Sequence, residues 1–257
     1  MSVKAFTLNS KTIVSLDFDR FKTCPQICDY CYVGNTERLY PAYKAKITRN
    51  AKWANKDPEG FAEQLNHEYR KLRRSSSKQT ARLEKLPARI YGSGDFIPKH
   101  IDFMKLLDFK FFIISKYLAH PLRKQYVNKL LEIPNLTKII LSLDNQNIQH
   151  REYVHEYYGK DKFGISYTGM VDDFVSLKDA GLKSTIFFNI SKKKADRLKS
   201  QEHKEQCPCD TGLLAAAKAC SFCNKCWRSS TTKKSNWNNL NIGDVNNEFN
   251  HRVISTN

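Results

Sequence analysis

The 257-residue chain has no run of 18 apolar residues, so it offers no candidate membrane span. Its first residues, Met1-Ser2-Val3-Lys4, lead quickly into polar sequence with no secretory h-region. These absences predict a soluble cytoplasmic protein with no membrane partner. Acidic residues are scarce beside basic ones, 26 against 43, and the formal net charge is +17. That imbalance predicts attraction to a nucleic acid or an acidic partner and carries no information about fold. A scattered disulfide framework is also missing. The eight cysteines fall in two tight groups, three at 24–31 and five at 207–226, a clustering that favours metal and a reducing compartment.

What is present begins with Cys24-Pro25-Gln26-Ile27-Cys28-Asp29-Tyr30-Cys31, three cysteines at C-x3-C-x2-C spacing. The loop follows a strand-like run, Lys11 to Asp17. Thiolates are soft ligands that select iron–sulfur clusters, zinc or copper(I). A closed zinc site wants four ligands, and no fourth cysteine or well-spaced histidine follows nearby. Three ligands in a short loop therefore predict a centre with one open position.

The chain then alternates. Residues 33–57 read as loop plus a short helix, and Pro58 to Arg74 as a helix with Phe61, Leu65, Tyr69 and Leu72 on one face. A basic stretch runs from Arg70 to Lys85, without interleaved aromatics that would stack on bases. Strand patterns stand near 12–17, 88–91, 110–115, 138–143, 163–167 and 184–190. Helical patterns at 101–108, 121–132 and 171–180 separate most of them, and 148–158 reads as a helix or lid. His150 and His155 in that stretch read as surface residues. Such alternation predicts βα units and a parallel sheet, curled into a barrel or part of one. Ligands in such folds sit beyond the carboxyl ends of the strands. There the sequence places the cysteine loop, the turn Gly92-Ser93-Gly94-Asp95, Ser115-Lys116, Ser142 with Asp144, Tyr167-Thr168 and Asn189. Two glycines and a serine allow close backbone approach to a ligand, with the Asp95 carboxylate beside the gap.

Beyond Lys192-Lys193-Lys194 the chain changes character, which divides it into 1–195 and a cysteine-rich extension, 196–257. Cys207-Pro208 and the later Cys220, Cys223 and Cys226 give one remote thiolate plus a C-x2-C-x2-C turn, as in bacterial ferredoxin ligation. Cys209 is the alternative to Cys207. Zinc is the rival metal here, because four-cysteine zinc sites use similar spacings.

The first loop, with Tyr30 before its last cysteine, resembles the signature of the radical S-adenosylmethionine (SAM) superfamily. The resemblance implies a (β/α)6 partial TIM-like barrel, a [4Fe–4S] cluster on Cys24, Cys28 and Cys31, and SAM chelated at the open iron. Gly92-Ser93-Gly94-Asp95 resembles that family's Gly-Gly-Glu-like stretch, which binds the SAM amino group, with Asp where Glu is usual. Tyr30, Ser142 and Asp144 are further implied SAM contacts. An electron donor such as a flavodoxin or ferredoxin is implied as partner, and no catalytic residue is named. The order of motifs, with Gly94-Asp95-Phe96 in the middle and Cys207-Pro208 before Cys220, Cys223 and Cys226, also resembles phage-encoded proteins of the gene product 88 type. That resemblance implies an iron–sulfur protein in a host cytoplasm. The competing expectation is a non-catalytic iron–sulfur or zinc protein on the same barrel, possessing no use for SAM. It draws on Asp95 and on the lack of a Gly-rich stretch after the fifth strand.

Overall fold

The β-branched and aromatic runs form one sheet whose strands lie side by side in sequence order. A computed structural model describes residues 4–8, 14–24, 28–74, 87–191 and 205–207. The strands are β1 (Phe6–Leu8), β2 (Val14–Leu16), β3 (Ala88–Ile90), β4 (Phe111–Ser115), β5 (Leu136–Leu143), β6 (Phe163–Gly169) and β7 (Ile186–Asn189). β1 pairs antiparallel with β2, and every later neighbour is parallel. The sheet is mostly parallel and, among the described residues, not closed.

Helices occupy the crossovers. They are α1 (Arg20–Thr23), α2 (Tyr32–Leu39), α3 (Pro41–Lys56), α4 (Pro58–Arg74), α5 (Ile101–Lys105), α6 (Lys124–Leu131), α7 (Arg151–His155) and α8 (Val171–Asp179). Proline opens both α3 and α4, where its missing N–H costs nothing. No described helix is long and apolar enough to cross a membrane.

Strand side chains alternate between two faces. Leu16, Ile90, Phe111, Ile113, Ile139, Leu141, Ile165 and Phe187 join the main core with Phe61, Leu65, Phe103, Leu130 and Phe174 of the helices. Burying each such side chain contributes about 1.5–3 kcal/mol. The opposite face carries a smaller cluster around Phe112, Ile140 and Ile186. By the same alternation it takes the polar Ser15, Arg89, Lys138, Ser142 and Ser166.

All six expected strands are present, within two residues at most ends. The expectation for 33–57 was too weak: two helices, α2 and α3, fill that stretch. The buried face of α3 is Ile47, Asn50, Ala51 and Ala54, small and partly polar, so its periodic signal is faint. Asn50 is fully buried because its amide donates to the carbonyls of Ala5 and Asp17, tying the helix to β1 and to the end of β2. β1 is an element the sequence reading missed. It is held by the Glu68 carboxylate on α4, which accepts from the backbone N–H of Ala5 (2.8 Å) and Phe6 (3.2 Å). The helix expected over 101–108 ends at Lys105, and 148–158 holds a 3-10 turn followed by the short α7.

Candidate functional site at the carboxyl ends of the strands

The cysteine loop is built onto the end of β2. Asp17, just past the strand, is buried and accepts from Ser15 Oγ (2.8 Å), Thr7 Oγ1 (2.7 Å) and the Ser93 N–H (3.1 Å). Asp19 then caps α1 by accepting from the Phe21 N–H at 3.0 Å, which satisfies one orphan donor of that turn. Cys24 closes α1, its N–H donating to the Arg20 carbonyl at 2.8 Å. Cys31 sits at the N-cap of α2, its N–H donating to the Cys28 carbonyl at 3.0 Å. One cysteine thus ends a helix and another begins the next. All three are half-buried.

The turn after β3 packs directly under this loop. A Cβ on Gly92 would lie 1.9 Å from Ser15 Oγ and 2.1 Å from Asp17 Oδ1. Gly94 has φ +78°, and a Cβ there would meet Thr23 Oγ1 at 2.4 Å. Both glycines are therefore required for contact between this turn and the residues leading to Cys24. Ser93 is buried: its hydroxyl donates to the Phe18 carbonyl and accepts from the Tyr43 hydroxyl. The Asp95 N–H donates to Thr23 Oγ1 at 3.1 Å. The Asp95 carboxylate accepts from three backbone N–H groups, those of Phe96 (2.6 Å), Lys116 (3.1 Å) and Tyr117 (3.0 Å). It binds the end of β3 to the end of β4. Burial raises its pKa, against the opposing pull of the Ser115 side chain and these N–H groups.

The ends of β4 and β5 meet the loop through side chains. Lys116 Nζ donates to Cys28 Sγ at 2.9 Å and is paired with Asp144 Oδ2. Tyr30 donates its hydroxyl to the same Asp144 oxygen at 2.6 Å, and Lys116 lies 4.9 Å from the centre of the Tyr30 ring. Asp144 is 1% exposed. Its turn is fixed by Asn147, which accepts from the Asp144 N–H (2.7 Å) and donates to the Ser142 carbonyl (2.9 Å). Burial first, and the Asp144 carboxylate second, push the Tyr30 pKa far up, so the phenol stays a donor. Two cations act on the sulfurs: Lys116 at Cys28, and Arg20, whose charge interacts with Cys31 while its Nε stands 3.4 Å from Glu37. Gly34 leaves room for that guanidinium, which a Cβ would meet at 2.8 Å. Burial pushes the Cys24 thiol up to about 12, helped by the charges of Asp95, Cys28 and Cys31 and opposed by Lys116. A metal taken up here would have to displace a proton.

The structure thus brings Cys24, Cys28, Cys31, Tyr30, Gly92, Ser93, Gly94, Asp95 and Asp144 to one end of the sheet, with Ser142 buried just beneath. Among the described residues, no three His, Cys, Asp or Glu gather closely enough to hold a single metal ion. A [4Fe–4S] cluster takes each thiolate on its own iron, so it needs sulfurs around a wider space than one ion does. Lys116 and Arg20 suit the negative charge that thiolate ligation brings.

Arg20 was missed from sequence, and Lys116 was seen only as one polar strand end among several. Nothing in either one's local sequence marks it; each reaches its sulfur through the fold. His150 is half-buried, with its ring 4.2 Å from that of His120, and His155 Nε2 accepts from the Lys183 N–H at 3.1 Å. Of the second cysteine group, Cys207 is buried against Phe112, Ile140 and Ile186, its N–H donating to the Phe187 carbonyl at 2.8 Å. Cys209, Cys220, Cys223 and Cys226 lie outside the described residues, as does most of the 196–257 extension.

Fold and site together define an α/β protein with a cysteine loop at the carboxyl edge of a mostly parallel sheet. Residues 2–229 match the family described as Gene product 88, and the chain belongs to that family. No curated protein matches, and no solved structure matches.

Proposed function

We propose that this chain is an iron–sulfur protein of the radical SAM type, built on a (β/α)6 partial barrel. The observation that carries this reading is the docking of the C-x3-C-x2-C loop onto the carboxyl ends of β2 to β5, locked by the Lys116–Cys28 and Tyr30–Asp144 hydrogen bonds. Cys24, Cys28 and Cys31 would hold a [4Fe–4S] cluster. Such a cluster, when bound with one iron left open, supplies one-electron reduction of SAM to start radical chemistry on a substrate. Lys116 and Arg20 balance charge at two of the sulfurs. Tyr30 keeps its proton and fixes Asp144, which in turn holds Lys116 in place. Gly92 and Gly94 let the turn after β3 pack against the residues leading to Cys24, whose side chains fill the space they leave; SAM would lie on the loop side of this turn. Cys207 or Cys209, with Cys220, Cys223 and Cys226, would hold a second cluster or a zinc ion. A flavodoxin or ferredoxin of the host cytoplasm would supply electrons.

A second reading has its own support. The Asp95 carboxylate is engaged by three backbone N–H groups, which leaves it poorly placed to receive the amino group of SAM. On that reading the loop holds a cluster that never meets SAM. Anaerobic reconstitution with iron and sulfide counts, followed by EPR of the reduced protein before and after SAM, separates the two. About eight irons and a signal that changes with SAM fit two [4Fe–4S] clusters, one with an open iron. A signal indifferent to SAM selects the non-catalytic reading. Cleavage of SAM by the Cys28→Ala protein would refute the assignment of the first loop.

A further inference from the structure

Just beyond Cys31 in sequence, α3 and the end of α2 line an open groove of about 980 Å³. Five of its lining residues are cations: Arg38, Lys44, Arg49, Lys52 and Lys56. Its one acid, Glu37, is buried and already faces Arg20. Lys44, Lys52 and Lys56 recur at multiples of four along α3, so they share one helix face over about 18 Å. Arg38, Lys44, Lys52 and Lys56 are exposed, and among the described residues none of them pairs with a carboxylate. Arg49 donates one guanidinium N–H to the Lys4 carbonyl, and its Nε has no partner among the described residues. The chain supplies no acidic stretch to neutralise this face: residues 75–86, 192–204 and 208–257 each carry more Lys and Arg than Asp and Glu.

An aromatic residue stands among these cations. Trp53 lines the groove half-exposed, its inner side packed on the Phe61 ring at 5.6 Å between centroids. Tyr40, at the junction of α2 and α3 between lining residues Arg38 and Pro41, is 61% exposed. A cationic track with aromatic faces matches a phosphodiester backbone with unstacked bases. A duplex would hide its base faces, and an acidic peptide would make no use of Trp53. We propose that this groove binds single-stranded nucleic acid, the phosphates along Lys44, Lys52 and Lys56 and a base against Trp53.

The test uses the full chain and a fluorescein-labelled 20-mer of deoxythymidylate, read by anisotropy across a salt series. The Lys44→Gln/Lys52→Gln/Lys56→Gln triple should bind at least tenfold more weakly. Its salt slope should be shallower by about 2, because each lost phosphate contact removes about 0.7 on a single strand. A control triple, Lys105→Gln/Lys110→Gln/Lys129→Gln, removes the same charge from exposed positions elsewhere and should stay within about twofold of wild type. Unlabelled oligonucleotide should quench part of the tryptophan emission in wild type, and that part should vanish in Trp53→Phe. Equal weakening by both triples, or an unquenched Trp53, overturns the groove. Displacement of the oligonucleotide by polyglutamate at equal charge concentration, or tighter binding of a duplex through the same lysines, overturns the ligand class.

Discussion

Two buried carboxylates stand at the ends of the two strands that flank β4 and are used differently. Asp95, after β3, is met by main-chain N–H groups and by Ser115. Asp144, after β5, accepts from the Gln146 N–H on one oxygen, and its other oxygen is met by the side chains of Lys116 and Tyr30, which tie it to the cysteine loop. A carboxylate satisfied by backbone fixes the chain's path. One satisfied by side chains can transmit what happens at the loop. The β3 end is thus scaffold, and the β5 end is the part of the sheet that addresses the sulfurs.

The sharpest way to break this contrast is Asp95→Ala. It strands three buried N–H donors, and the expected loss is about 4 kcal/mol of unfolding free energy in urea. A fully stable Asp95→Ala protein would refute the scaffold role. Next is Asp144→Ala, which leaves Lys116 beside Cys28 without its counter-charge. About 3 kcal/mol should be lost, together with iron retained per chain after reconstitution, counted by colorimetry. If Asp144→Ala keeps its iron while Asp95→Ala folds and loses it, the two ends have been assigned the wrong way round. Gly92→Ala should cost about 2 kcal/mol by overpacking against Ser15 and Asp17. Gly92→Ala/Ser15→Ala should recover part of that loss in the same melt.

The effect that is smallest at neutral pH concerns His100, behind the β3 turn. It is buried, with Nδ1 2.9 Å from the Tyr91 hydroxyl, and burial lowers its pKa from 6.5 to about 3. The folded protein keeps this ring neutral while the unfolded chain takes up a proton below pH 6.5. Its contribution is therefore complete above pH 6.5 and is lost as pH falls from 6.5 towards about 3. The limiting slope is about 1.4 kcal/mol per pH unit. His100→Phe should flatten the stability profile across that window.

The strand runs were legible because each is a short block of β-branched or aromatic residues bounded by polar ones, as Phe111-Phe112-Ile113-Ile114 shows. The cysteine spacing and the glycine turn were legible for a similar reason: their chemistry is written locally. Arg20 was not, because its meeting with Cys31 depends on how α1 turns back on α2. α3 stayed hidden because alanine and asparagine cover its inner face and lysines interrupt the pattern. The surroundings of Asp95 were not legible for the opposite reason. Its neighbours Gly92 and Gly94 look like a ligand cradle, yet the space they leave is filled by Ser15, Asp17 and Thr23.

β1 has a consequence of another kind. A parallel sheet with bare margins offers unpaired N–H and C=O groups to any passing strand, including those of its own copies. Here the β2 margin is closed by an antiparallel strand pinned by Glu68. The β7 margin is met by residues 205–207, whose bridge joins Phe187 to Gln206. The two segments act as selvedges, finished borders that keep the weave from catching on its neighbours. A chain trimmed through Leu8, or carrying Glu68→Ala, would be expected to self-associate by strand addition before its interior comes apart.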